Sequence, residues 1–330
     1  MGLFLAIPAG QASCQWGWPS VYNFVVNPVA RSLFVISLGL LFFFASPSAL
    51  AGEPIGAARI LELKLMLVEF INQDREKVSV DPVLFSEELS QMADKHCREL
   101  LDSNYTSHWN QAGWKPYMRY SQEGFVDQTS ENISSMDINQ MKVSPQRLKQ
   151  EMAARHQSLV SEKPPHDLHR RSILNPLHTH VGIGLAYSNQ GVRLIEVFAD
   201  RYVKVKPLPR RLKPSEETFL DGKLLKRRYE VQAVSIFYAP TPKPLSLMEL
   251  AGTFMCGLPD DERILRPKLP GGLRYAPPDS GTGEVDVQGR RFSCPIKVGK
   301  EPGVYTLVVW IQHKFEGKAF MATNISILVE

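Results

Sequence analysis

The feature that most constrains this chain is a change of hydrophobic period across residues 203–215, an acid-free stretch with three prolines and five basic residues, Lys204, Lys206, Arg210, Arg211 and Lys213. Before it, apolar residues recur at helical spacing. Ile60, Leu63, Leu67 and Phe70/Ile71 form one stripe, and Leu89, Met92, Ala93, His96, Cys97 and Leu100 form a second, on a helix opening near Ser86 after the Asp81-Pro82 break. A third helix is predicted over 144–161, and residues 180–186 and 192–198 read as strands joined by the turn Ser188-Asn189-Gln190-Gly191. Residues 104–130 show no sustained period and read as a long ordered loop. After the change the period is two. Tyr229, Val231 and Ala233 alternate with polar residues, Val285 and Val287 flank Asp286, and β-branched runs over 304–311 and 324–329 are separated by a turn at Glu316-Gly317. No single layer architecture satisfies both periods, so the expectation is an α+β chain of two units, the second an all-β, immunoglobulin-like sandwich.

The N-terminus adds a third region. Residues 1–51 contain no Asp or Glu, and an apolar run over 33–44 leads to Ala49-x-Ala51. The run is shorter than the ~20 residues of a membrane span and has the grammar of a signal peptide with an extended n-region. The expected organisation is therefore a leader over 1–51, a first domain over 56–205, a basic proline-containing linker over 206–218 and a β-sandwich over 219–330. Export to the periplasm, cell surface or medium follows from the leader, and no Cys follows the cleavage site to accept a lipid anchor.

The formal charge of +4 on 330 residues argues for no particular partner by itself. Its distribution is uneven. Arg201, Lys204, Lys206, Arg210, Arg211 and Lys213, then Lys223, Lys226, Arg227 and Arg228, form basic clusters that read as solvated linker or as a contact for an anionic cell-surface polymer. Nucleic acid is not expected as a partner. Export permits a disulfide between Cys256 and Cys294, whereas Cys97, on an apolar helix face, reads as a buried thiol. There is no glycine-rich phosphate loop and no Gly-x-Ser-x-Gly elbow, so no nucleotide cofactor is expected, and Gly182 and Gly184 read as strand glycines that permit close packing.

Several short motifs occur in order: Ile71-Asn72 with Arg75; Ala93 with His96; Tyr105-Thr106-Ser107-His108-Trp109 followed by Gly113, Pro116 and Arg119-Tyr120; Ser130-Glu131-Asn132-Ile133; His169-Arg170-Arg171-Ser172-Ile173-Leu174; and Val181-Gly182-Ile183-Gly184-Leu185-Ala186. Together they resemble the CAP superfamily of cysteine-rich secretory, antigen 5 and pathogenesis-related-1 proteins, in its bacterial SCP-like form, over residues 57–203. The resemblance implies an α-β-α sandwich with two His and two Glu around one cleft. Carried over by position, these are His108, Glu131 and His169. The fourth position stays open between Glu151 and Glu162, the bacterial-type pattern favouring Glu162.

Two imidazoles and a carboxylate are a competent donor set for Zn²⁺ or another divalent ion. Their spacing carries no metal signature of its own. One expectation is therefore a ligand-binding module for a small lipid-like or peptide ligand, with the linker and sandwich contacting a protein or surface polymer. The other is a metal-assisted peptidase or cell-wall hydrolase, with Glu131, Glu162 or Glu151 as the catalytic candidates. Of the remaining histidines, His96 reads as a core residue, His166 as a turn residue, His178 and His180 as packing or rim residues, and His156 as facing outward or toward the cleft. Trp109, Trp114, Tyr117 and Tyr120 read as packing residues.

Overall fold

The structure, a computed structural model, describes residues 55–330 apart from 139, 141, 254, 255, 272, 277–282 and 316. The leader and the cleavage site at Ala49-x-Ala51 lie outside the described residues. The first unit runs α1 (Ala57–Glu76), β1 (Leu84–Phe85), α2 (Glu87–Asp102), α3 (Pro116–Gln122), β2 (Gln128–Asp137), α4 (Pro145–Val160), α5 (Leu168–Ile173), β3 (His180–Ser188) and β4 (Gly191–Asp200). Two helix starts are set by serine caps, since Ser86 Oγ accepts from the Leu89 amide and Ser144 Oγ from the Arg147 amide.

The strands form one sheet in the order β1-β3-β4-β2, with β3 and β4 antiparallel and β2 antiparallel to β4. Both faces of this sheet are covered. Val181, Ile183 and Leu185 point to one side and pack with Leu63, Leu67 and Ile71 of α1 and Leu148 and Met152 of α4. Ala186, Ile195, Val197 and Ala199 point to the other and pack with Leu89, Ala93, Cys97 and Leu100 of α2. Every residue of β4 is buried as a result. The arrangement is an α-β-α sandwich. Gly182 and Gly184 lie under α2, where a Cβ on Gly184 would stand 2.6 Å from Ala93 and one on Gly182 would overlap Leu89.

The second unit runs β5 (Val203–Val205), β6 (Arg211–Leu212), β7 (Glu217–Leu224), β8 (Tyr229–Pro240), α6 (Leu247–Ala251), β9 (Glu262–Leu265), β10 (Asp286–Gln288), β11 (Arg291–Lys297), β12 (Gly303–His313), β13 (Phe320–Met321) and β14 (Ile325–Val329). One sheet has the order β10-β11-β7-β5 and the other β6-β14-β12-β8-β9, with β13 also on β12. Their inner faces share one core that includes Leu220, Phe292, Cys294, Ile296, Val234, Leu307, Ile325 and Ile327, so this unit is a β-sandwich. Residues 206–218 are not bare connection: β6 pairs in parallel with β14, and β7 begins at Glu217.

Two expectations need correction, and one pairing left open is absent. The stretch 104–130 contains α3 and the start of β2, because Pro116 opens a short helix that buries Tyr117, Met118, Tyr120 and Ser121. Cys256 and Cys294 are both buried, but no bridge joins them, and Cys294 is a thiol in the sandwich core whose proton burial holds up to about 12. His156 faces neither solvent nor the cleft; it is 2% exposed between α1 and the sheet.

The two units are packed together. Tyr117 and Met118 of α3 meet Val304 and Leu328 of the sandwich, Ser326 N donates to Ser121 Oγ over 2.7 Å, and Asn324 Nδ2 donates to Gln128 Oε1. A strap between β8 and β9, which includes α6, reaches further. The Leu245 amide donates to the Gln111 carbonyl over 2.8 Å, and Leu250, 1% exposed, is buried in the α2 cluster of the first unit.

Candidate functional site

Glu131 is central to β2, with its carboxylate buried under α3. Tyr120 donates to its Oε2 over 2.6 Å, Arg119 Nη2 donates to Oε1 and Oε2 at 3.2 and 3.1 Å, and His108 Nδ1 lies 3.0 Å from Oε1. Burial alone would raise the acid's pKa. The adjacent Arg119 guanidinium and the His108 hydrogen bond outweigh it and hold Glu131 well below the usual carboxylate range. Glu131 is therefore a fixed anion whose acceptor capacity is spent on orienting its neighbours. Its position on a strand is what makes the placement rigid.

His108 is held from a second direction. The carbonyl of the preceding Ser107 accepts from His96 Nε2 at 2.9 Å, which gives the buried His96 its structural task. Arg119 Nη2 also donates to the His108 carbonyl over 3.0 Å.

His169, on α5, repeats the motif with a different acid. Glu162 Oε1 lies 2.6 Å from His169 Nδ1, and Oε2 accepts the His169 amide at 3.1 Å. Asn132, beside Glu131 on β2, donates to the His169 carbonyl over 3.2 Å. Glu151 lies elsewhere, paired with Arg147 one turn back on α4 at 2.6 Å.

His108, Glu131, Glu162 and His169 line one cavity of about 1360 Å³; Glu151 does not. The cavity wall also carries Arg155, Arg170 and Arg171, and the apolar side chains Ile133, Leu159, Leu168, Leu174 and Leu250. Arg155 Nε is buried and finds no hydrogen-bond partner among the described residues. Outside the cavity lining, His156 Nδ1 lies 2.7 Å from Glu196 and Nε2 lies 3.0 Å from Asp74, and Asn132, which does line it, donates to Glu196 at 3.4 Å.

Two contributions escaped sequence reasoning. The first is the role of Arg119 and Tyr120, which belonged to a recognised motif but had no visible target until α3 lay over β2. The second is the strap from the sandwich: Leu250 and Thr253 both line the cavity, and Thr253 Oγ1 shares a 2.7 Å hydrogen bond with Ser107 Oγ. No local signal in the sequence points to them, because the strap has no sustained helical period and Leu250 lies 81 residues beyond His169, the nearest cleft histidine.

As a metal centre the site is incomplete by protein ligands alone. Among the described residues no three His, Cys, Asp or Glu side chains stand close enough to hold one ion, whereas zinc sites ordinarily use three or four protein ligands.

Comparison with known proteins gives the following. An extracellular protein containing an SCP domain from Bacillus anthracis is 17% identical, with a TM-score of 0.35 over 46% of this chain and 45% of that one. The chain thus spans under half the length of that protein. An outer surface protein of Borrelia burgdorferi is 15% identical, with a TM-score of 0.34 over 44% of this chain and 96% of that one, and the CAP domain of enterococcal PrgA is 14% identical, with a TM-score of 0.30 over 44% and 63%. No curated protein matches the sequence. Residues 68–199, which hold the sheet, His108, Glu131, Glu162 and His169, match the model of the cysteine-rich secretory protein family, and this part of the chain is a CAP domain.

Proposed function

We propose that the protein is an exported binding module whose CAP cleft takes a lipid-like ligand with an acidic end. The observation that carries this reading is the composition of the cavity wall: Arg155, Arg170 and Arg171 beside His108 and His169 at one surface, with Ile133, Leu159, Leu168 and Leu174 continuing it. A cavity of this volume exceeds the several hundred Å³ typical of small-molecule sites and suits an extended ligand. Glu131 does not oppose an anion strongly, since the Arg119 guanidinium beside it balances its charge.

The test is a fluorescence titration with cis-parinaric acid, a fluorescent fatty acid. Saturable binding is expected, weakened about tenfold or more by Arg155→Met, on the scale of a lost charge-assisted hydrogen bond. His313→Ala, in the sandwich, should leave it unchanged. Absence of saturable binding, or equal affinity in Arg155→Met, defeats the proposal.

A second reading, a metal-assisted hydrolase, draws support from one feature. Each imidazole has Nδ1 held by a carboxylate, the arrangement in which metal-ligating histidines offer Nε2. Bound at His108 and His169, a divalent ion would supply an electrophile to the cleft. Zn²⁺ titration should then be weakened to similar extents by His108→Ala and His169→Ala, with turnover of casein or peptidoglycan as the second measurement.

A further inference from the structure

One end of the β-sandwich collects cations from three separate turns. The turn 225–228 joins β7 to β8, and the turn 314–319 joins β12 to β13. Strand pairing sets them side by side: His313 stands opposite Tyr229, and the Lys314 amide donates to the Arg228 carbonyl over 2.9 Å. The β10–β11 turn joins them, since the Leu224 amide donates to the Arg290 carbonyl over 2.8 Å. On the adjoining sheet Lys223 stands directly opposite Arg291, and Lys204 opposite Lys223 on its other side.

Like charges directly opposite one another on a ladder oppose pairing. Here Lys223, Arg291, Lys226, Arg227, Arg228 and Lys314 are all exposed, and among the described residues none of the six forms an ion pair. The two turns themselves hold Lys226, Arg227, Arg228, Lys314 and Lys318 against one acid, Glu316. Within this field sit two apolar side chains that the core does not use: Phe315 is 85% exposed and Leu225 is 41% exposed. A single exposed apolar residue is ordinary, but an aromatic at a turn tip flanked by cations on two neighbouring turns matches the chemistry of a bilayer interface, where head groups are anionic and the acyl boundary accepts a ring.

We propose that this end of the sandwich docks on a bilayer rich in anionic lipid, with the cations against the head groups and Phe315 and Leu225 reaching the acyl boundary. None of the residues that line the CAP cleft belongs to these turns, so docking and ligand binding are separable. A soluble polyanion would satisfy the charges but would leave Phe315 without a role, and that difference supplies the test.

The full chain is sedimented with vesicles of one part phosphatidylglycerol to two parts phosphatidylcholine, with vesicles of phosphatidylcholine alone as background. Binding is expected to the mixed vesicles and to fall with added salt. Arg227→Ala combined with Arg228→Ala should weaken it about twenty-fivefold, at about fivefold per basic residue. Phe315→Ala should weaken it as well, and Phe315→Trp should show a blue shift of emission on the mixed vesicles; each variant is compared with the parent by far-ultraviolet circular dichroism. No difference between the two vesicle types overturns the proposal. So does a Phe315→Trp emission that stays fixed while long-chain polyphosphate competes the protein off, which would assign the end to a soluble polyanion.

Discussion

His108 Nδ1 lies 3.0 Å from Glu131 Oε1, and the same carboxylate holds the buried Arg119 guanidinium and the Tyr120 hydroxyl. One strand residue thus fixes a histidine of the cleft and neutralises the Arg119 guanidinium, whose one direct ion pair among the described residues is with Glu131. Glu131→Gln keeps the shape and removes the charge, which leaves Arg119 buried without its counter-ion. A loss of about 3–5 kcal/mol is expected from breaking such a pair, measured by urea unfolding at neutral pH. A loss under about 1 kcal/mol would instead mark the pair as solvated in the manner of a surface ion pair.

His156 makes stability depend on pH. Burial lowers its pKa, but the carboxylates of Glu196 and Asp74, one at each ring nitrogen, outweigh that and raise it above the ordinary histidine value. A raised folded-state value means that the contribution is fully present below the unfolded pKa of about 6.5 and is lost as pH rises through the folded one. Unfolding free energy should therefore decline as pH rises above about 6.5, and His156→Gln should flatten that slope while lowering stability at pH 6. An unchanged slope in the variant would assign the pH dependence elsewhere.

Gly184→Ala tests the packing of α2 on the sheet. The added Cβ would lie 2.6 Å from the Ala93 backbone and side chain, and neither can yield without moving the helix. Overpacking of this kind costs about 1–3 kcal/mol or more. Thermal unfolding should show the loss, and the combined variant with Ala93→Gly should recover part of it.

Leu250 belongs to the sandwich by sequence and to the CAP domain by packing. Leu250→Ala should destabilise by about 2–5 kcal/mol, as for other buried leucines. Hydrogen exchange should show that loss at amides of α2 as well as in the strap. Confinement of the effect to the sandwich would mean that the strap merely rests on its neighbour.

The sequence determined what depends on local period and local chemistry. The stripes on α1 and α2, the helix over 144–161, the strands over 180–186 and 192–198 and the change to a two-residue period follow from side-chain spacing, which the backbone geometry of helix and strand converts directly into faces. The ordered motifs likewise pointed to His108, Glu131 and His169 before any contact was visible. What the sequence left open was decided by distance in space. Glu151 and Glu162 are equivalent as letters; α5 places His169 against Glu162, and α4 turns Glu151 toward Arg147. His156 looked like a surface or cleft residue because its neighbours are polar, and only the approach of α1 and β4 supplied the two acids that make its burial tolerable. The strap behaves the same way: α6 has five residues and too weak a pattern to announce a destination, and Leu250 finds its partners on α2 only after the sandwich has folded beside the sheet. Local periodicity fixes which face of an element is apolar, whereas pairing of buried charges and cross-domain contacts depends on which elements meet, and that is settled by tertiary packing alone.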